Sequence, residues 1–71
     1  MTLNQAIPGK EYIITDITVD DEEIKSFLFS LGCYSGEKIT VISHLKGGPV
    51  IAVKDGRYNI DNQLAETIVI W

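Results

Sequence analysis

Cys33 and His44 are the residues of this 71-residue sequence best suited to chemistry, because a thiolate and an imidazole both ligate transition metals and also pair as nucleophile and base. The sequence holds one Cys and one His, whereas a zinc or similar site takes about three or four protein ligands at fixed geometry. Two ligands close no site. No metal or other cofactor is therefore expected, and the residual metal reading is a weak ferrous or other transition-metal site completed by carboxylates or a second chain. As a nucleophile, Cys33 would need His44 as base, an orienting carboxylate and a walled pocket, for which so short a chain has little room. A Cys directly after a helix-ending glycine reads as a small buried residue, and a lone His at the end of a strand as a surface residue.

The paired carboxylates Asp20-Asp21 and Glu22-Glu23 fall at a helix start, where capping and the helix dipole account for them without acid–base catalysis. Gly47-Gly48-Pro49 lacks the following Lys and Ser/Thr that grip phosphates and magnesium, so it is no P-loop. The chain is not expected to be an enzyme.

The elements that must position these residues are legible in turn. Ile24, Phe27, Leu28 and Leu31 recur at i, i+3, i+4 and i+7, which puts four apolar side chains on one helical face. Gly32 supplies a left-handed stop, and Ser35-Gly36 turn the chain into a strand at Glu37-Lys38-Ile39-Thr40-Val41-Ile42. Before the helix, Leu3 and Ile7 drop onto the core ahead of Pro8-Gly9. Strand one, Glu11 to Ile17, points Tyr12 and Ile14 inward, with Ile17 turned in past a bulge or bend. Leu45 to Pro49 reads as a loop or wide turn at the sheet edge. Strand three is Val50 to Lys54, and Asp55-Gly56 predicts a type I′ hairpin into Arg57 to Ile60. Asp61 caps a single helical turn with Leu64 pointing inward, and Thr67 to Ile70 form the last strand. Five short strands in so small a chain favour closure, which removes sheet edges. The expected fold is mainly β, a small SH3-like five-stranded barrel with one amphipathic α-helix between strands one and two, as a single domain over residues 1–71.

Composition narrows the partners. A net charge of −4 repels phosphate backbones and anionic lipid. Lys38, Lys46, Lys54 and Arg57 have no aromatic residues between them to stack bases, so they read as solubilising charges and no nucleic acid is expected. The single Cys permits no internal disulfide, which fits a reducing cytoplasm. The sequence shows no leader pattern and no apolar run of the roughly 20 residues that span a bilayer, so no direct membrane insertion is expected.

Read in order, the residues resemble the FeoA family, small cytoplasmic accessory proteins of bacterial ferrous iron uptake. The likeness runs from Leu3 and Gly9 through Leu28-Phe29-Ser30-Leu31-Gly32-Cys33-Tyr34-Ser35-Gly36 to Gly48-Pro49-Val50 and Ala65-Glu66-Thr67-Ile68-Val69-Ile70. The chain matches the family's helix ending in Leu-x-x-Leu-Gly, its glycine and proline segment and its closing Ala-x-x-Ile. It departs where members often carry an arginine before the first of those leucines and a proline before the following glycine: here Phe27 and Ser35 stand.

The resemblance implies a non-enzymatic accessory that docks on the cytoplasmic G-protein domain of a FeoB-type ferrous iron permease and modulates its assembly or nucleotide cycle. It would be cytoplasmic, and recruited to the inner face of the membrane through that partner. The expected contact surface is Leu45, Lys46, Gly47, Gly48 and Pro49 together with Cys33, Tyr34 and Ser35, since loops on a rigid frame commonly carry recognition. The alternative is a metal-binding or iron-sensing module resembling the SH3-like C-terminal domain of iron-dependent repressors, using Cys33 and His44. A third reading, self-association, rests on Tyr34 and Trp71 as exposed rings; the sequence leaves the oligomeric state open.

Overall fold

The computed structural model describes residues 1–71, and its strands follow the alternation of apolar side chains. In β1, Glu11–Ile17, Tyr12 and Ile14 are buried while their neighbours face water. The pairing of β1 with the last strand shifts between Ile14 and Asp16, the bulge that lets Ile17 turn back toward the core. Helix α1, Glu22–Leu31, is capped by Asp21, whose carboxylate accepts from the Glu23 and Ile24 amides at 2.9 and 3.3 Å. It ends at Gly32, with φ 101°. A Cβ there would lie 2.6 Å from Lys54 Cγ, so the stop also lets the hairpin opposite pack against the helix end.

The remaining elements are β2 (Lys38–Leu45), β3 (Gly48–Val53), β4 (Gly56–Asn59), α2 (Asn62–Thr67) and β5 (Ile68–Ile70). All pairings are antiparallel, in the order β4-β3-β2-β1-β5. One cluster joins Ile51 and Val53 of β3 to Ile68 and Ile70 of β5, although two strands lie between them in the sheet. The sheet therefore bends round its own core, and α2 with the 3-10 turn Leu3–Gln5 packs across its open side. Strand-to-strand bonding does not join β4 to β5; the free side of β5 is instead covered by the N-terminus through the Thr2–Val69 bridge.

Four local expectations are corrected. Ile7 is 60% exposed and Ala6 takes its place in the core, because the 3-10 turn puts Leu3 and Ala6 on one side. Phe27 is half-exposed: with Leu28 fully buried at the centre of the apolar stripe, the residue before it lies at the stripe's margin. The segment Leu45 to Pro49 is no loop. Strand β2 runs to Leu45, only Lys46 and Gly47 connect, and Gly48 and Pro49 are buried residues of β3 paired with Leu45 and His44. Gly48 holds φ 146°, and a Cβ there would overlap the Ile60 carbonyl oxygen, so the start of β3 must approach the start of α2 closely. Finally, the β3–β4 turn is Lys54-Asp55 rather than Asp55-Gly56, with Val53 paired to Gly56. Positive φ falls on Lys54 alone, so the turn is not type I′.

Candidate functional site

The two residues singled out for chemistry have different surroundings. Cys33 is buried, with its amide donating to the Leu28 carbonyl at the helix end, and burial pushes its thiol up to about 11. At neutral pH it is a protonated thiol, which neither attacks nor ligates well. The His44 ring Nε2 lies 2.7 Å from the Ala6 carbonyl oxygen, and only a protonated nitrogen can donate there. No three His, Cys, Asp or Glu side chains are grouped to hold an ion.

The two segments expected to form one contact surface do not meet in one place either. Both border α1, but on opposite flanks. Residues two apart on a helix point about 200° apart, and Phe27 and Phe29 mark the two sides.

On the Phe29 side, the Phe29 and Tyr34 rings stack with centroids 4.8 Å apart and planes tilted by 33°. Lys54 lies with its ammonium 5.3 Å from the Tyr34 centroid and 3.2 Å from Glu37. The Tyr34 hydroxyl first, then the Glu37 carboxylate, hold the Lys54 ammonium above the ordinary lysine range. The turn that carries Tyr34 is tied to β1 by Ser35 Oγ donating to the Thr15 carbonyl at 3.1 Å and by the Gly36 amide donating to Ile14 at 2.7 Å. Tyr34 and Ser35 thus reach the surface, while Cys33 does not. This flank is an assembly of groups that already have partners.

On the Phe27 side, a groove of about 530 Å³ runs between α1 and α2, with Val19, Ile24, Phe27 and Leu64 as its apolar lining. Its charged lining is acidic throughout: Asp21, Glu23 and Asp61. Asp21 and Asp61 sit there because each caps its helix, Asp61 accepting from the Leu64 amide at 2.7 Å. A smaller hollow of about 320 Å³ continues the groove past Phe27, Asp61 and Leu64 to Gly47 in the β2–β3 turn. Of the segment Leu45 to Pro49, Leu45, Lys46 and Gly47 are exposed and Gly47 borders this trench.

Sequence reasoning overlooked the trench because it assigned Phe27 to the core, and because Leu64, which does pack against the core, also lines the groove. The available signal was the number of apolar residues on α1: Phe29 lies off the Ile24–Leu28–Leu31 stripe altogether, so the helix carries more apolar side chains than its buried face accommodates. Of the basic residues considered as a strip, Lys38 lies 4.0 Å from Glu11 and Lys54 pairs with Glu37. No helix is long and apolar enough to cross a membrane.

The whole fold is similar to solved structures. An iron uptake regulatory protein, FeoA, matches with TM-score 0.86 and 28% identity over 99% of this chain and 93% of that one. Iron(II) transport protein A from Clostridium thermocellum matches with TM-score 0.89 and 21% identity, over 99% of this chain and 44% of that one. FeoA from Stenotrophomonas maltophilia, complexed with zinc and described as a procaryotic SH3 domain protein, matches with TM-score 0.84 and 17% identity over 99% of this chain and 88% of that one. The last two carry the fold alone, which is mainly β and SH3-like. No curated protein matches the chain. The FeoA domain model matches residues 1–70, and the chain belongs to the FeoA family, which is associated with ferrous iron transport.

Proposed function

We propose that this protein is a non-enzymatic accessory of ferrous iron uptake that binds the cytoplasmic G-protein domain of a FeoB-type permease and modulates its assembly or nucleotide cycle. The observation that carries the reading is the surface of α1. Phe27 is 50% exposed along a groove, on a helix whose Leu28 is fully buried in the core. Large apolar side chains presented at the surface are the usual anchors of protein contacts, and membership of a family associated with ferrous iron transport supports the transporter as partner. Contact through α1 explains modulation without chemistry, since a bound domain changes a G-protein cycle by favouring one conformation over another.

The test is a calorimetric titration of the chain into the soluble G-protein domain of the same organism's permease, in GDP and in a non-hydrolysable GTP analogue. The reading expects saturable binding whose affinity differs between the two nucleotide states, because only differential binding shifts an equilibrium. Equal affinity for both contradicts modulation of the nucleotide cycle, and no heat at high excess at two temperatures contradicts the reading as a whole.

A further inference from the structure

The trench between α1 and α2 has an asymmetry that identifies what fits it. Its floor is aliphatic and aromatic, formed by Val19, Ile24, Phe27 and Leu64. Its rims are carboxylates on both walls, Asp21 and Glu23 from the start of α1 and Asp61 from the start of α2, with no lysine or arginine among the lining residues. Both capping aspartates spend Oδ1 on backbone amides, so each keeps its second oxygen for an incoming donor. Glu23 takes part in no ion pair. The hollow that reaches Gly47 shares Phe27, Asp61 and Leu64 with the groove and so extends it, and a row of apolar anchor points suits an amphipathic segment laid along it.

We infer that this trench receives a basic amphipathic segment of a protein partner, its apolar side chains seated on Ile24, Phe27 and Leu64 and its lysines or arginines reaching Asp21, Glu23 and Asp61. Resting on the accessory function proposed above, the inference assigns to the partner the docking element and to this chain the face. The charge pattern argues against an acidic segment, whose carboxylates would be desolvated beside three others. It argues equally against using the Phe29 flank for the same ligand, because two cations, Lys25 and Lys54, border that flank among its carboxylates Asp16 and Asp55, and Glu37 is already engaged by Lys54.

The test uses two synthetic helical peptides of about 18 residues with leucines at i, i+3, i+4 and i+7, one carrying lysine at the remaining positions and one glutamate. Fluorescence anisotropy is expected to show saturable binding of the leucine–lysine peptide, with the leucine–glutamate peptide at least ~10-fold weaker. Phe27→Asp weakens the lysine peptide at least ~10-fold, whereas Phe29→Asp changes it less than ~2-fold. Glu23→Lys, an exposed site outside the caps, lowers affinity for the lysine peptide and raises it for the glutamate peptide. Phe27→Ala keeps the comparison valid should an aspartate disturb α1.

Equal affinity for the two peptides, or loss with Phe29→Asp in place of Phe27→Asp, overturns the inference. The G-protein domain separates this inference from the broader proposal. Binding of that domain that survives Phe27→Asp and is lost with Phe29→Asp sinks the trench and leaves the accessory function standing. Peptide binding that needs Phe27, with no binding of the domain, does the reverse.

Discussion

The two flanks of α1 carry aromatic residues of similar exposure, yet they are built for different purposes. Phe29 is the more exposed ring, but it stacks on Tyr34, and Tyr34 is bridged through Lys54 to Glu37. That flank ties the end of the helix to the β3–β4 hairpin. Phe27 lies instead along an open groove with aliphatic neighbours and acidic rims. Exposure alone would have chosen Phe29 as the docking residue. Whether the polar and aromatic groups around a ring already have partners is the better guide, because satisfied groups gain little from a ligand.

The largest expected effect removes the support of both flanks together. Leu28, fully buried between them, should cost about 2–5 kcal/mol on truncation to Ala, measured by urea unfolding. For a chain this small that approaches the whole stability. A cost below about 0.5 kcal/mol would show that the helix does not pack as described.

The next effect belongs to the Phe29 flank, under which Cys33 lies. Burial raises its thiol from an ordinary 9.0 to about 11 in the folded protein. The unfolded thiol therefore loses its proton first, and stability present below pH 9 falls as pH rises toward 11. The loss amounts to about 2–3 kcal/mol. Lys54, also held high, adds to the decline above its ordinary value. Unfolding curves of Cys33→Ala should show a shallower alkaline decline than those of the parent; superimposable curves would mean that the thiol is not desolvated.

A smaller effect isolates the Phe27 flank. Asp61→Ala removes the cap of α2 and should cost about 1 kcal/mol, while weakening the lysine peptide through loss of a rim charge. Asp61→Asn, which keeps the cap without the charge, separates the two: stability is retained and peptide affinity still falls. The smallest effect isolates the opposite flank. Lys54→Met preserves the methylenes over Gly32 but removes the ion pair with Glu37. The stability loss should be visible at low ionic strength and vanish in about 1 M salt, leaving trench binding unchanged.

The parts of the fold that local rules govern were legible from the residues. Asp61 as a cap, Asp21 as one of two candidate caps beside Asp20, Gly32 as helix stop, the inward Tyr12 and Ile14, and a bulge or bend before Ile17 each follow from one short segment. The misreadings arose where a distant segment decides the outcome. Gly48 and Pro49 look like loop residues because of their types, but the close approach of β3 to Ile60 and Asp61 requires a residue without a Cβ inside a strand. The β3–β4 turn moved one residue toward the N-terminus, to Lys54-Asp55. Lys54 there lies over Gly32 and reaches Tyr34 and Glu37, contacts invisible to a turn rule.

The candidate site was less legible for the same reason. Of the residues expected to make contact, Tyr34, Ser35, Leu45, Lys46 and Gly47 reach the surface, whereas Cys33, Gly48 and Pro49 are buried. Helical periodicity put Phe27 on the inward face, but it stands half-exposed along a groove that Leu64, packed against the core, also lines. That is a property of how two helices meet, and neither helix encodes it alone.

The most direct test of the difference between the flanks is an amide NMR titration of the isotope-labelled chain with the soluble G-protein domain of the permease. Localised, saturable shifts are predicted at Glu23, Phe27, Gly47, Asp61 and Leu64, with Phe29, Tyr34 and Lys54 unmoved. Shifts confined to the second set would contradict this and place recognition on the aromatic flank.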